Sequence, residues 1–90
     1  MPWTIEYTAS AVKELLAMDR QQARKIKKYL DERIATAENP RVFGHGLTSN
    51  LAGLWRYRVG DYRLIVEIQD ARLVVLVVKT GHRRDVYGTH

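Results

Sequence analysis

The stretch WRYRVGDYR, residues 55–63, combines three arginines with three aromatic residues in nine positions. Guanidinium groups match the oxygens of a phosphate in forked geometry and remain charged at any physiological pH. The stretch could therefore bind a phosphate-bearing partner. It could also be an ordinary hairpin whose charged side chains point at water.

A second group of chemically capable residues follows an aliphatic run near the C-terminus, where residues 79–87 read KTGHRRDVY. Arg83 and Arg84 could contact phosphate, and Tyr87 could stack on a base. His82 could transfer protons, because histidine is the side chain whose charge changes nearest to neutral pH. The alternative is a frayed basic tail.

A third basic group lies on the second of two predicted helices and comprises Arg20, Arg24, Lys25, Lys27 and Lys28. The apolar stripe of this helix leaves these side chains facing solvent. They are candidates for salt-sensitive contacts to the phosphates of a nucleic acid. A charged, solvated helix face would have the same pattern.

Composition limits the classes of protein to consider. Ninety residues predict a single domain spanning 1–90, and the net charge of +5 favours an anionic partner. The chain has no cysteine, no apolar run long enough to cross a membrane and no secretion-signal pattern, so we expect a cytoplasmic protein. We find no metal-ligand cluster, Gly-rich phosphate loop or Ser/His/Asp set and expect neither metal nor cofactor.

Hydrophobic periodicity predicts the elements that must position these residues. They are a strand at 3–7, a helix at 9–17, a helix from about 20 to 38, and strands at 54–59, 62–69 and 72–79. Thr8 and Asp19 are predicted N-caps, and Asn39-Pro40 ends the second helix. Residues 40–53 are predicted to be a loop anchored by Val42, Phe43 and Leu47. The order predicts an α+β fold, with an antiparallel sheet and a helical hairpin packed on one face.

Gly60 and Asp61 fit the two-residue loop of a type II′ hairpin. That loop would set Arg58 directly opposite Arg63, with Arg56 on the same face and the aromatic residues on the other. Like charges placed opposite each other destabilise a sheet. We interpret this arrangement as a phosphate site; the alternative is a solvated outer sheet face with separated guanidiniums.

Two motifs, GLWRYRVGDYRLIVEI and VVKTGHRRDVY, resemble the RelE/ParE toxin superfamily of toxin–antitoxin modules, on the RelE side. The resemblance covers essentially the whole chain. It implies a RelE-like β-α-α-β-β-β fold and a ribosome-dependent endoribonuclease that cuts mRNA in the ribosomal A site. It also implies a RelB-like cognate antitoxin, which would neutralise the toxin in a hetero-oligomer.

By motif, the family's functional positions correspond to Arg56, Arg58, Arg63, Arg83 and Tyr87. We expect Arg58, Arg63 and Arg83 to bind the scissile phosphate and Tyr87 to orient the nucleotide. Some relatives have lysines where this chain has Arg56 and Arg58, and arginine effectively cannot give up its proton. His82 is therefore the first candidate for proton transfer, and His45 is the second.

Two other functions stay open at this point. One is a ParE-like toxin that inhibits DNA gyrase as a protein ligand. The other is a degenerate toxin that binds its antitoxin without cleaving RNA, which the arginines at positions 56 and 58 would permit.

Overall fold

A five-stranded sheet carries most of the residues singled out above, and the computed structural model describes residues 3–82. The elements are β1 (Thr4–Tyr7), α1 (Ala9–Ala17), α2 (Arg20–Tyr29), β2 (His45–Gly46), β3 (Trp55–Val59), β4 (Tyr62–Gln69) and β5 (Val74–His82). Their order confirms the predicted α+β class. Among residues 3–82, no helix combines the length and apolar character that crossing a membrane requires.

Both helices begin at the predicted caps. The Thr8 hydroxyl accepts a hydrogen bond from the backbone N–H of Ala11 (3.1 Å), and the Asp19 carboxylate accepts two from Gln21 and Gln22 (3.0 and 3.2 Å). Each bond satisfies an N–H that has no partner within its helix. Only Met18 and Asp19 separate the helices, so they form the predicted hairpin.

The second helix ends differently from the prediction. The α-helix stops at Tyr29 and continues as one π-helical turn, Leu30–Ile34, in which Ala35 N–H donates to the Leu30 carbonyl. Ile26, Leu30 and Ile34 are all fully buried. They are spaced four residues apart, which exceeds the 3.6 residues of an α-helical turn. The wider π turn keeps all three on the core face.

The sheet has the order β1-β5-β4-β3-β2. The predicted antiparallel pairing holds from β2 to β5, but β1 pairs in parallel with β5. A parallel pair needs a long crossover connection. The helical hairpin and the strands between β1 and β5 supply it.

One face of the sheet packs on the helices and forms the core. Buried side chains from both layers meet there: Ala11, Ile26, Leu30, Ile34, Tyr57, Val59, Leu64, Val66, Ile68, Val75 and Val77. Trp55 and Tyr62 pack against this cluster, which confirms the aromatic side of the hairpin as the core side. The opposite surface of the sheet is called the outer face below.

Residues 40–53 are not only a loop, because they contain β2 and two 3-10 turns, Pro40–Phe43 and Ser49–Leu51. Of the three predicted anchors, Val42 is 72% exposed, Phe43 is 40% exposed and Leu47 is half-buried. The segment is instead attached through Pro40, which is buried and whose carbonyl accepts a hydrogen bond from the Tyr57 hydroxyl (2.8 Å). Arg41 adds two hydrogen bonds to the Asp70 carboxylate (3.0 and 2.6 Å).

Strand β5 contains an irregularity that decides which side chains reach the outer face. Ile65 pairs with Lys79 whereas the next residue, Val66, pairs with Val77, so Val78 is an extra residue in β5. Such a bulge reverses the alternation of side chains beyond it. Lys79 therefore lies on the outer face, and Thr80 is buried on the core face.

Candidate active site

The hairpin β3–β4 has the predicted register. Val59 pairs with Tyr62, Arg58 with Arg63, Tyr57 with Leu64 and Arg56 with Ile65. Gly60 has a φ of 61° whereas Asp61 has no positive φ, which matches a type II′ turn and excludes type I′.

Arg58 and Arg63 face each other across the hairpin on the outer face. Arg58 is exposed, and Arg63 is half-buried with one long hydrogen bond from its guanidinium to the Tyr62 carbonyl (3.4 Å). Within residues 3–82, neither guanidinium forms an ion pair with a carboxylate. Gly81 occupies the other side of Arg63 and presents no side chain there. No carboxylate of residues 3–82 therefore neutralises these two cations.

A second row of residues lies next to this pair on the outer face. Arg56 and Lys79 flank Ile65, which is only 2% exposed although it lies outside the core. Lys79 is also a diagonal neighbour of Arg63, at a distance that long side chains can span. Sequence analysis missed Lys79, because strict alternation along β5 would direct it towards the core.

The two histidine candidates lie on different faces. His45 on β2 pairs with Arg56 and is exposed, so it shares the face of the arginines. His82 pairs with Tyr62 and forms an edge-to-face ring contact with it (centroids 5.9 Å apart). Because directly paired residues share a face, His82 lies on the side opposite the Arg58–Arg63 pair. His45 therefore lies on the arginine face of the sheet and His82 on the opposite face.

Three predicted site residues, Arg83, Arg84 and Tyr87, lie outside the described residues. In the sequence Arg83 directly follows His82, the last residue of β5.

All five basic residues of α2 are exposed, as predicted. Three of them, Arg20, Arg24 and Lys27, also line an apolar groove of about 480 Å³ between the helices. Leu16, on the other wall, is 81% exposed. Lys27 forms an ion pair with Asp31 (2.9 Å). These cations therefore border an apolar surface as well as solvent.

The inner end of this groove holds Tyr7. Its hydroxyl is buried and has no hydrogen-bond partner among the described residues. Burial raises the pKa of Tyr7, so its hydroxyl remains protonated and is available as a donor.

Known toxins are similar to this chain in sequence and in fold. The toxin RelG of Mycobacterium tuberculosis is 28% identical over 87 residues, which cover 97% of this chain and 98% of that protein. The toxin–antitoxin complex RelBE2 of the same organism contains a similar chain, with a TM-score of 0.84 and 25% identity over 92% of this chain and all of that one. A free mutant of Escherichia coli toxin RelE shares the fold, with a TM-score of 0.72 and 24% identity over 91% of this chain and 84% of that one.

The family model of the ParE toxin of the type II toxin–antitoxin system, parDE, matches residues 5–87. This match spans nearly the whole chain, including the arginine-bearing hairpin and the C-terminal motif. The similar proteins above carry RelE-type names. The chain belongs to the RelE/ParE superfamily as a RelE-like toxin of a type II toxin–antitoxin system.

Proposed function

We propose that this toxin is a ribosome-dependent endoribonuclease that cuts mRNA in the ribosomal A site and thereby inhibits translation. The observation that carries the proposal is the opposed pair Arg58–Arg63, which has no carboxylate partner within residues 3–82. Two cations held opposite each other cost folding free energy. An RNA phosphate bound between the two guanidinium groups would offset that cost by attracting both charges.

Cleavage by internal transesterification needs cations that stabilise the charge growing on the phosphorus oxygens. In our proposal Arg58 and Arg63 meet this need together with Arg83, an electrostatic contribution often worth several kcal/mol of barrier. Arg56 and Arg84 bind neighbouring phosphates, and Tyr87 orients the nucleotide at the cut. The ribosome supplies much of the remaining catalysis by holding the mRNA in a reactive geometry.

Proton transfer falls to a histidine or to bound water, since arginine retains its proton. We propose His45 as the first candidate, because it shares the outer face with Arg56, and His82 as the second. Single-turnover cleavage by His45→Ala and His82→Ala distinguishes them. A slower rate in only the first supports His45, a slower rate in only the second restores His82, and unchanged rates in both assign the step to water.

The antitoxin partner is supported by relatives solved as toxin–antitoxin complexes. We propose that a RelB-like antitoxin uses the apolar groove between α1 and α2, with acidic residues facing Arg20, Arg24 and Lys27. Lys25 and Lys28 would remain as contacts to ribosomal RNA in the free toxin. The proposed substrate is translated mRNA, which implies action in the cytoplasm.

The test is to express the toxin without its antitoxin and map mRNA 5′ ends across the transcriptome. New ends in phase with codons, absent from the Arg63→Ala variant, would support the proposal. Intact mRNA with trapped DNA gyrase would instead support the ParE-like function that the name of the family model suggests. Normal growth at high expression, with antitoxin binding retained, would favour a degenerate toxin.

A further inference from the structure

The end of strand β5 lacks a strand on one of its two sides within residues 3–82. Pairing with β1 ends at Tyr7 and Val77, after which the chain of β1 turns into α1. Thr8 extends the contact slightly: its backbone N–H donates to the Val77 carbonyl (3.0 Å) and its hydroxyl to the Val78 carbonyl (2.9 Å). Beyond this point β5 continues to His82 with β4 on its other side.

The Glu14 carboxylate of α1 accepts hydrogen bonds from β5 on the side where no strand of residues 3–82 is paired. One carboxylate oxygen accepts hydrogen bonds from the backbone N–H of Thr80 (2.6 Å) and from the Thr80 hydroxyl (3.4 Å). The other oxygen accepts from the Lys79 ammonium (3.3 Å). Thr80 is 2% exposed, so water cannot readily replace the carboxylate at its N–H. A buried N–H without a partner is costly, and a charged acceptor makes the bond stronger.

The residues that Glu14 fastens lie next to the proposed phosphate site. Thr80 pairs with Leu64, and the next residue, Gly81, pairs with Arg63. The same carboxylate holds the ammonium of Lys79, whose side chain shares the outer face with Arg63. Glu14 therefore contacts Lys79 and Thr80, the two residues of β5 that precede Gly81 opposite Arg63.

We propose that Glu14 is a positioning residue for RNA cleavage. It fixes the end of β5 beside Arg63 through the Thr80 N–H and holds the Lys79 ammonium at the open edge of β5, without touching RNA itself. The expected effect on cleavage rests on the proposed endoribonuclease function, whereas the expected effect of Glu14 on the end of β5 does not. We expect loss of Glu14 to slow cleavage strongly, because a shift of about 1 Å in a catalytic group can lower the rate about 100-fold.

The experiment compares wild type with Glu14→Ala and Glu14→Gln in single-turnover cleavage of mRNA on programmed ribosomes. Glu14→Ala should lower the maximal rate by about 10- to 100-fold while the ribosome concentration at half-maximal rate stays unchanged. Glu14→Gln keeps an oxygen for the Thr80 N–H and should recover part of the rate. Lys13→Ala, a change at an exposed position of the same helix, is the matched control and should cleave like wild type.

A second measurement follows amide hydrogen exchange at Thr80 and Gly81 by NMR, and it does not depend on cleavage. Exchange at Thr80 should be slow in wild type and in Lys79→Ala and faster in Glu14→Ala. Unchanged exchange in Glu14→Ala would overturn the proposal, as would an unchanged maximal rate. If wild type cuts no mRNA, the proposed function fails, and the exchange data still decide whether Glu14 fastens the strand.

Discussion

Two arginine sites on this sheet differ in what surrounds the guanidinium. Arg41 forms two hydrogen bonds to the Asp70 carboxylate and lies over the Trp55 ring, 5.7 Å from its centroid. Arg58 faces Arg63 instead, with no carboxylate partner in the described part of the chain. The first guanidinium is paired with a carboxylate, whereas the second faces a like charge and has no ion-pair partner among residues 3–82.

The same residue type therefore has different effects on folding at the two sites. Arg41 attaches the 40–53 segment through its ion pair with Asp70, whereas the cross-strand repulsion between Arg58 and Arg63 lowers the stability of the hairpin. Changes at the two sites should therefore have opposite effects on stability and on activity. The predictions below test this contrast, beginning with the largest expected effect.

Arg58→Glu should separate folding from function most strongly. Cleavage should fall at least about 100-fold, because a carboxylate repels the phosphate. The free energy of unfolding should rise by a few tenths of a kcal/mol, since the introduced carboxylate would lie opposite Arg63 as an attractive cross-strand pair. Ribosome-programmed cleavage and urea denaturation measure the two effects. Arg58→Gln is the control, and it should lose activity with a smaller gain in stability. If Arg58→Glu cleaved mRNA at the wild-type rate, the proposed phosphate site would be wrong.

Tyr57→Phe should show the cost of disturbing the attachment of the 40–53 segment. The change removes the only hydrogen bond described for the buried Tyr57 hydroxyl within residues 3–82 and leaves the Pro40 carbonyl without that donor. Unfolding free energy should fall by about 1–3 kcal/mol, as measured by urea denaturation. Tyr29→Phe, at the neighbouring ring of the same cluster, should cost less. Equal losses in the two variants would indicate that the Pro40 bond is unimportant.

Arg41→Gln should lower thermal stability slightly and leave cleavage unchanged, the reverse of Arg58→Glu. The Asp70 side chain is 64% exposed and that of Arg41 32%, and ion pairs that contact solvent contribute little to folding. The loss should exceed that of Arg72→Gln, because the contact between Arg72 and Glu6 is longer (3.4 Å). Melting temperatures and single-turnover rates provide the test. A large fall in the cleavage rate of Arg41→Gln would place Arg41 in the functional site and erase the contrast.

The smallest expected effect is the dependence of thermal stability on pH that Asp70 contributes. Hydrogen bonds from Arg41 hold the pKa of Asp70 below its ordinary value. A carboxylate with a lowered pKa in the folded state stabilises the protein above its unfolded pKa, and this contribution is lost as the pH falls through the folded value. The melting temperatures of wild type and Asp70→Asn should therefore differ slightly at neutral pH and converge in acid. A difference that persists in strong acid would show that the pair does not act through this charge.

Local sequence signals predicted much of the fold because they act over a few residues. Thr8 and Asp19 cap the helices as predicted, since a cap needs only its own side chain and the next turn. The turn at Gly60-Asp61 set the hairpin register, and with it the opposition of Arg58 and Arg63. Features that depend on distant partners were missed. These include the π turn after Tyr29, the attachment of Pro40 through Tyr57, and the parallel pairing of β1.

In the candidate site, too, some features could be predicted from local sequence and others depend on tertiary packing. Sequence by itself determined that Arg56, Arg58 and Arg63 share one face, because a two-residue turn and strict alternation fix every side chain of the hairpin. Only the tertiary structure decided what lies beside them. The extra residue Val78 brings Lys79 to the arginine face, the pairing of β2 brings His45 there, and the pairing with Tyr62 directs His82 to the other side. Glu14 reaches the end of β5 for the same reason, since a bulge and an open strand edge arise only when separate elements pack together.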